Sequence, residues 1–126
     1  DPFAIAKIWE TRIPVVLCSL DITNTVPLTS DFIRQLGRQR RYPLSDLAGQ
    51  CYAIAMSQDY YFWDVLATAY LAAPERYELQ ILETGVITQG ESQGRIVLQS
   101  GGRRIKMMKR VDLDWFYSYI LEQWRR

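Results

Sequence analysis

Four neighbouring side chains near the middle of the chain are of types that could contact a ligand: Tyr60, Tyr61, Trp63 and Asp64. The indole of Trp63 presents a flat π surface on which a planar ligand could stack, although a tryptophan on an apolar helix also commonly packs in a core. Asp64 stands at the start of a predicted helix, where an aspartate often acts as the N-cap. The chain contains no histidine, so serine–histidine and cysteine–histidine catalysis are excluded within it.

The composition is that of an ordinary globular domain. Hydrophobic residues make up 48% and charged residues 23% of the 126 residues, and the formal net charge is +1. This near-neutral charge gives no argument for nucleic acid or a membrane as a partner, and no apolar run approaches the length of a membrane span. Cys18 and Cys51 are predicted to be reduced, buried thiols, which favours a cytoplasmic location.

The first part of the chain predicts a helix followed by a buried strand. Asp1 and Pro2 suit the N-cap and first turn of a helix rather than the start of a protein, so we expect a chain cut from a longer one. A buried stripe is predicted along this helix at Ile5, Ile8 and Trp9. The apolar run 15–20 predicts a strand buried on both faces of a parallel sheet. The polar stretch 21–24 follows at the strand end, where ligands commonly bind, but turn formation is the more common role of such residues.

Three further helices are predicted before the strands of the last third of the chain. The first begins at Thr29 or Ser30 and ends at Gly37, the second runs from Leu44 to about Ser57, and the third runs from Trp63 to Ala73. Residues 58–62 are predicted to form a loop. The basic side chains before the second helix could bind phosphate, but such a run is more commonly a solvated helix end; they are Arg34, Arg38, Arg40 and Arg41.

The last third predicts strands and a final helix. Residues 77–82 alternate apolar and polar side chains with the period of a strand. Residues 95–99 and 104–108 flank Ser100-Gly101-Gly102, which predicts a β-hairpin because glycine accepts positive φ. An amphipathic helix begins at Asp112 or Asp114. We therefore predict a single α/β unit over residues 1–126, with a mainly parallel sheet, a C-terminal β-hairpin and a final helix.

Two segments of this sequence resemble the inosine-uridine nucleoside hydrolase family. The first runs Asp1-Pro2-Phe3-Ala4-Ile5-Ala6, Ile13-Pro14-Val15-Val16 and Leu20-Asp21-Ile22-Thr23, and is similar to the family's Asp-Pro-x-Ala-Ala helix, its next strand and its Leu-Asp-Val-Thr turn. The second runs from Trp63 to Leu71 and on through Glu83-Thr84-Gly85, Thr88 and Gly90, and is similar to the family's His-Asp-Pro-Leu-Ala-Val-Ala-Tyr helix and the strand and turn that follow. The resemblance covers the C-terminal part of a typical member and implies a portion of its Rossmann-like fold.

The resemblance implies that the intact protein cleaves the N-glycosidic bond of ribonucleosides with a bound Ca2+. The transition state is similar to a ribosyl oxocarbenium ion, so the site must activate water and assist the leaving base. Ca2+ takes six to eight oxygens and can hold ribose hydroxyls and water together. By resemblance Asp64 is one ligand of this ion. The family's Asp-x-Asp-x-x-x-Asp-Asp loop and its Asn-rich ribose-binding segment are absent, so we expect this chain alone to be inactive and assign it no catalytic residue.

Trp63 stands where most members of the family have a histidine that protonates the leaving base. A purine-preferring branch is similar to this sequence in having tryptophan there, where the indole stacks on the purine and raises its basicity. The resemblance therefore implies a purine-leaning enzyme. Tyr60 and Tyr61 precede this position, in a region where the family has a mobile segment over the substrate, and either could contact the base or the ribose.

The expected partner is a small-molecule nucleoside, with no nucleic acid and no membrane, and by resemblance we expect the intact protein to be a homo-oligomer in the cytoplasm. One alternative is a degenerate relative that binds a ligand or a protein without catalysis, since the chain lacks histidine and its segment from Tyr42 to Trp63 is short. Another is an α/β interaction domain unrelated to the family. Activity of the complete polypeptide on inosine or guanosine would discriminate among these.

Overall fold

The computed structural model describes residues 1–56 and 58–126. Within them the elements follow in the order α1 (Pro2–Glu10), β1 (Val16–Leu17), α2 (Leu20–Thr23), α3 (Ser30–Arg38), α4 (Pro43–Ala55), α5 (Trp63–Ala72), a 3-10 turn (Pro74–Arg76), β2 (Tyr77–Val86), β3 (Ile96–Leu98), β4 (Arg103–Val111) and α6 (Leu113–Gln123). The residues divide into two units, each discontinuous in sequence. Asp1–Leu17 and Leu79–Met108 form the first, and Cys18–Glu78 and Lys109–Arg126 form the second. A single unit over residues 1–126 stays a prediction.

The strands form one sheet in the order β1-β4-β2-β3. β1 pairs with β4 in parallel, with Val16 opposite Lys106, whereas β2 pairs with β3 antiparallel, with Gly85 opposite Val97. The α/β class and the final helix are therefore confirmed. The sheet is mixed, however, and the expectation of a mainly parallel sheet is wrong in this respect.

The predicted hairpin between residues 95–99 and 104–108 is wrong, because β2 lies between β3 and β4. β3 pairs instead with β2, across the longer connection 87–95. Gly101 and Gly102, which suggested the hairpin, lie in the connection from β3 to β4, and this connection crosses β2. Gly101 has a φ of +71°, and a Cβ on Gly102 would lie 2.6 Å from the carbonyl oxygen of Thr84. This close approach needs a residue without a side chain.

In the first unit, α1 begins as the sequence predicts, since the Asp1 side chain accepts hydrogen bonds from the backbone N–H groups of Phe3 and Ala4 at 2.9 and 3.0 Å. Its predicted buried stripe is wrong, because no residue of α1 is buried and Ile8 is 42% exposed. Polar contacts hold the helix instead. The indole N–H of Trp9 donates to Thr84 Oγ1 at 3.1 Å, and the Arg103 guanidinium donates to the carbonyl oxygens of Ile8 and Ile13.

The second unit contains a core of aromatic and aliphatic side chains. Phe62 and Phe32 are almost fully buried, with ring centroids 5.0 Å apart, and Phe116 packs 5.6 Å from Phe62. The other buried aliphatic and small side chains of this unit come from every helix except α4 and from the adjoining loops and strands. They are Ile22, Val26, Leu28, Leu36, Leu66, Ala69, Ala73, Val111, Ile120 and Leu121.

Several local predictions agree with the structure only in part. The strand predicted over residues 15–20 is limited to Val16–Leu17, and Leu20 begins the one-turn helix α2. Both cysteines are free, as predicted, but Cys18 is half-buried and Cys51 is exposed, so the expected burial of Cys51 is wrong. α4 ends at Ala55, and Ser57, the predicted end of that helix, lies outside the described residues. In the part of the chain that is described, no helix has both the length and the apolar character needed to cross a bilayer.

Candidate functional site

The start of α5 is fixed by the segment that precedes it, residues 60–62. The backbone N–H of Leu28 donates to the carbonyl oxygen of Tyr60 at 2.9 Å, and the N–H of Phe62 donates to that of Val26 at 3.0 Å. These bonds pair the segment antiparallel with residues 26–28, and Tyr61 forms the bridge with Pro27. The predicted loop over residues 58–62 is therefore tied to the second unit at its last three residues. The buried ring of Phe62, which sequence reasoning missed, anchors this end of the segment.

The structure brings together the three aromatic residues that the sequence singled out. The ring centroid of Trp63 lies 4.8 Å from that of Tyr60, in an edge-to-face arrangement, and 5.9 Å from that of Tyr61. All three side chains are half-buried. The indole N–H of Trp63 approaches Asn24 Oδ1 at 3.4 Å, so Asn24 shares this cluster. A half-buried indole flanked by two phenols still presents part of its surface to a ligand.

Asp64 is the second residue of α5, and its side chain is exposed. The N-cap is Phe62, which makes no side-chain capping bond, so the interpretation of Asp64 as the N-cap is wrong. Among the described residues no hydrogen bond or ion pair to its carboxylate is found. Burial first, and the nearby Asp64 carboxylate second, raise the pKa of the Cys18 thiol. Asp64 therefore stands near Cys18 with its carboxylate oxygens available.

Two polar residues beside this cluster come from the end of α2. Thr23 is 3% exposed and its Oγ1 has no hydrogen-bond partner among the described residues. Asn24, next along the chain, contacts Trp63 as described above. The polar stretch 21–24 was the sequence signal for both, but it did not indicate that Asn24 meets a residue 39 positions later. Asp21 accepts a hydrogen bond from Ser19 Oγ at 2.9 Å, which is the local turn role.

The described residues supply few of the oxygen donors that Ca2+ requires. No group of three or more His, Cys, Asp or Glu side chains suited to a metal is found among the described residues. Ca2+ needs six to eight oxygens, several of them carboxylate oxygens. An exposed carboxylate such as that of Asp64 fits the role of one ligand, and the described residues do not complete a shell around it.

The chain resembles known nucleoside hydrolases over nearly its whole length. No family model matches it. It is 31% identical over 128 residues to the non-specific ribonucleoside hydrolase RihC of Salmonella paratyphi A and 30% identical over 130 residues to RihC of Salmonella enteritidis. Both alignments cover 97% of this chain and 42% of the relative. The chain thus spans about two fifths of the length of the curated relatives it matches.

Solved structures agree. The inosine-uridine preferring nucleoside hydrolase from Bacillus anthracis is 38% identical with a TM-score of 0.90, over 99% of this chain and 41% of that one. The purine-preferring ribonucleoside hydrolase from Gardnerella vaginalis is 17% identical with a TM-score of 0.79, over 99% of this chain and 44% of that one, which shows a shared fold alone. Sequence identity and fold are thus shared along nearly the whole of this chain, which is homologous to about two fifths of a nucleoside hydrolase.

Proposed function

We propose that the polypeptide containing this chain is a ribonucleoside hydrolase with a preference for purine nucleosides. The observation that carries the hydrolase assignment is the likeness at 38% identity and a TM-score of 0.90 to the inosine-uridine preferring enzyme from Bacillus anthracis. Because the chain spans 42% of the curated relatives, the activity is proposed for a longer polypeptide, and the isolated chain is proposed to be inactive.

The proposed preference for purines rests on Trp63. In the reaction, water adds to the anomeric carbon while the carbon–nitrogen bond breaks, and the departing base keeps the electron pair and takes up a proton. The chain has no histidine to supply that proton. An indole that stacks on the base would raise its basicity, so that solvent could protonate it. The half-buried position of Trp63 between Tyr60 and Tyr61 supports this role, since a fully buried indole could not reach a ligand.

Asp64 is proposed as one ligand of Ca2+, with the remaining ligands supplied by parts of the polypeptide outside this chain. Calcium, when bound, supplies a positive charge that holds sugar hydroxyls and polarises water. The exposed carboxylate of Asp64, without a partner among the described side chains, supports the assignment.

The test of the ligand role replaces Asp64 by Asn in the full-length protein. We expect the calcium content to fall and kcat/KM for inosine to decrease at least about 100-fold, because an acidic ligand of a hard cation is lost. Asp114→Asn is the matched control, since Asp114 is also exposed and is also the second residue of its helix, α6. Unchanged calcium content in Asp64→Asn would remove the ligand assignment.

The stacking role of Trp63 is tested separately with Trp63→Leu. We expect kcat/KM for inosine and guanosine to fall about tenfold more than kcat/KM for uridine, the size of effect that an aromatic contact provides. Trp115→Leu is the control, because Trp115 is also half-buried and stacks on Tyr119 at 5.0 Å. Equal losses on purine and pyrimidine nucleosides would assign Trp63 a structural role instead.

A folded full-length protein that binds nucleosides without cleaving them would favour the non-catalytic alternative. The homo-oligomeric state is also proposed for the intact protein, and light scattering of that protein tests it. The exposed apolar side chains of α4, among them Leu44 and Leu47, offer a surface for such an interface. A cytoplasmic location stays a prediction.

A further inference from the structure

A polar cavity of about 400 Å³ lies in the second unit, at the C-terminal end of α3, the start of α4 and the residues that follow α6. We call it the arginine pocket. The residues that line it are Gln35, Arg38, Gln39, Arg41, Tyr42 and Arg125. Arg125 is more than 80 residues away in sequence from Arg38 and Arg41, so local sequence patterns do not indicate that the three share one cavity.

The arginine pocket concentrates positive charge. None of the lining residues is acidic, and no ion pair to Arg38, Arg41 or Arg125 is found among the described residues. The guanidinium of Arg41 instead donates to the phenol oxygen of Tyr42 at 2.8 Å and lies 4.8 Å from its ring centroid. Each guanidinium group carries a positive charge, so the three around this cavity repel one another and an anion between them would relieve that repulsion.

A buried hydrogen-bond network orients one of these groups. Gln39, which is 9% exposed, uses its side-chain oxygen to accept from both Nε and Nη2 of Arg125 at 3.1 Å. The amide nitrogen of Gln39 donates to the Leu121 carbonyl oxygen at 3.0 Å and to Ser45 Oγ at 3.2 Å. Ser45, which is fully buried, donates in turn to the Trp124 carbonyl oxygen at 2.7 Å. The Arg125 guanidinium is thereby held in one orientation, and its remaining N–H donors have no partner among the described residues, which lowers the entropic cost of binding a ligand.

We propose that the arginine pocket binds the phosphate group of a small phosphate monoester. Guanidinium groups donate pairs of N–H bonds to phosphate or carboxylate oxygens. A phosphate monoester offers three terminal oxygens and close to two negative charges, and therefore suits three guanidinium groups better than a carboxylate does. A nucleoside carries no phosphate, so this site is independent of the proposed hydrolase function.

The surroundings of the arginine pocket favour a small ligand over a nucleic acid. Gln35, on its wall, donates to Asp31 Oδ2 at 2.8 Å, so a carboxylate stands at the rim. Asp31 also forms an ion pair with Arg34 at 3.2 Å. This side of the arginine pocket therefore carries no net positive charge that could attract a nucleic-acid backbone. The formal net charge of +1 likewise provides little overall attraction for a polyanion.

The test measures binding of inorganic phosphate, and then of ribose 5-phosphate, to the full chain by calorimetry. We expect Arg125→Ala and Arg38→Ala each to weaken phosphate binding about tenfold. Arg125→Lys should bind with an affinity between that of Arg125→Ala and that of the wild type, because lysine keeps the positive charge but cannot donate the paired N–H bonds of a guanidinium. Arg34→Ala is the matched control, since Arg34 lies one turn before Arg38 on the same helix and its guanidinium pairs with Asp31. Thermal unfolding checks that each variant is folded. The side chain of Arg38, at the end of α3, makes no hydrogen bond among the described residues, so its removal breaks none.

Three results would overturn the proposal. The first is that phosphate does not bind, or binds no better than acetate. The second is that Arg38→Ala and Arg125→Ala bind phosphate as the wild type does. The third is that a short oligonucleotide binds far more tightly than ribose 5-phosphate and that Arg34→Ala weakens its binding as much as Arg38→Ala, which would indicate an extended nucleic-acid surface.

Discussion

The two units of the chain are stabilised in different ways. In the second unit the rings of Phe32, Phe62 and Phe116 and many aliphatic side chains are withdrawn from water. In the first unit, within the described residues, the buried hydrophobic side chains are Ile105 and Met108. Since apolar burial is the main stabilising contribution in folding, the second unit has the stronger core.

The first unit depends on polar contacts in place of a large core. Arg103 bonds two carbonyl oxygens of the segment that contains α1, and its guanidinium lies 5.6 Å from the ring centroid of Trp9. Thr84 connects Trp9 to Arg103, since its Oγ1 accepts a hydrogen bond from the Trp9 indole N–H and donates one to the Arg103 carbonyl oxygen, both at 3.1 Å. Meanwhile Phe3 and Ile13 are 72% and 63% exposed. Apolar surface of this kind commonly marks a place that another part of a protein covers.

The largest effect is expected from the core of the second unit. Phe62→Ala should lower the free energy of unfolding of the full chain by about 3–5 kcal/mol, because a fully buried ring is replaced by a cavity. Urea denaturation monitored by circular dichroism measures this loss of stability. Leu71→Ala is the control, since Leu71 is 80% exposed and its loss should change stability by less than about 0.5 kcal/mol. Similar losses in both variants would contradict the assignment of this core.

An intermediate effect is expected in the first unit from Arg103→Met. Two backbone carbonyl groups lose a charged donor, which should lower the free energy of local opening around α1 by about 1–2 kcal/mol. Hydrogen exchange followed by mass spectrometry measures this opening as loss of protection in the peptides that contain α1. Arg104→Met removes an exposed guanidinium from the neighbouring position and should leave α1 protected. If α1 exchanges equally in both variants, polar contacts through Arg103 do not hold the first unit.

The smallest effect concerns pH. Burial first, and then the neighbouring Tyr60 and Cys51, raise the pKa of Tyr52 from 10 to about 12. The folded state thus favours the neutral phenol, and this contribution to stability is fully present below pH 10 and is lost as the pH rises through 12. We expect the midpoint of thermal unfolding to decrease over this window and Tyr52→Phe to remove part of the decrease. An identical pH dependence in the two proteins would show that Tyr52 is not the group involved.

Features that depend on adjacent residues were predictable from the sequence. Thr29 and Asp112 cap α3 and α6 through hydrogen bonds of 3.1 and 3.0 Å from Phe32 N and Trp115 N, as their residue types indicate. The start of α5 at Trp63 was also predicted.

Features that depend on distant residues were not predictable in the same way. The Ser100-Gly101-Gly102 turn is a local signal, and it does not specify which strand lies beside which. Asn24 beside Trp63 and Arg125 beside Gln39 likewise join residues far apart in sequence. Periodicity and capping describe neighbours within about one turn of helix, so they contain no information about these contacts.

The division of the chain has a consequence for its synthesis. Each unit is interrupted by the other, since residues 18–78 separate the two parts of the first and residues 79–108 separate the two parts of the second. The pairing of Val16 with Lys106 closes a loop of 90 residues, a kind of contact that forms slowly. On a ribosome, therefore, α1 and β1 emerge long before their partner strand, and α3 to α5 before α6. The first unit cannot be completed before residue 108 nor the second before α6 is made, so the nascent chain exposes apolar surface until those residues have emerged.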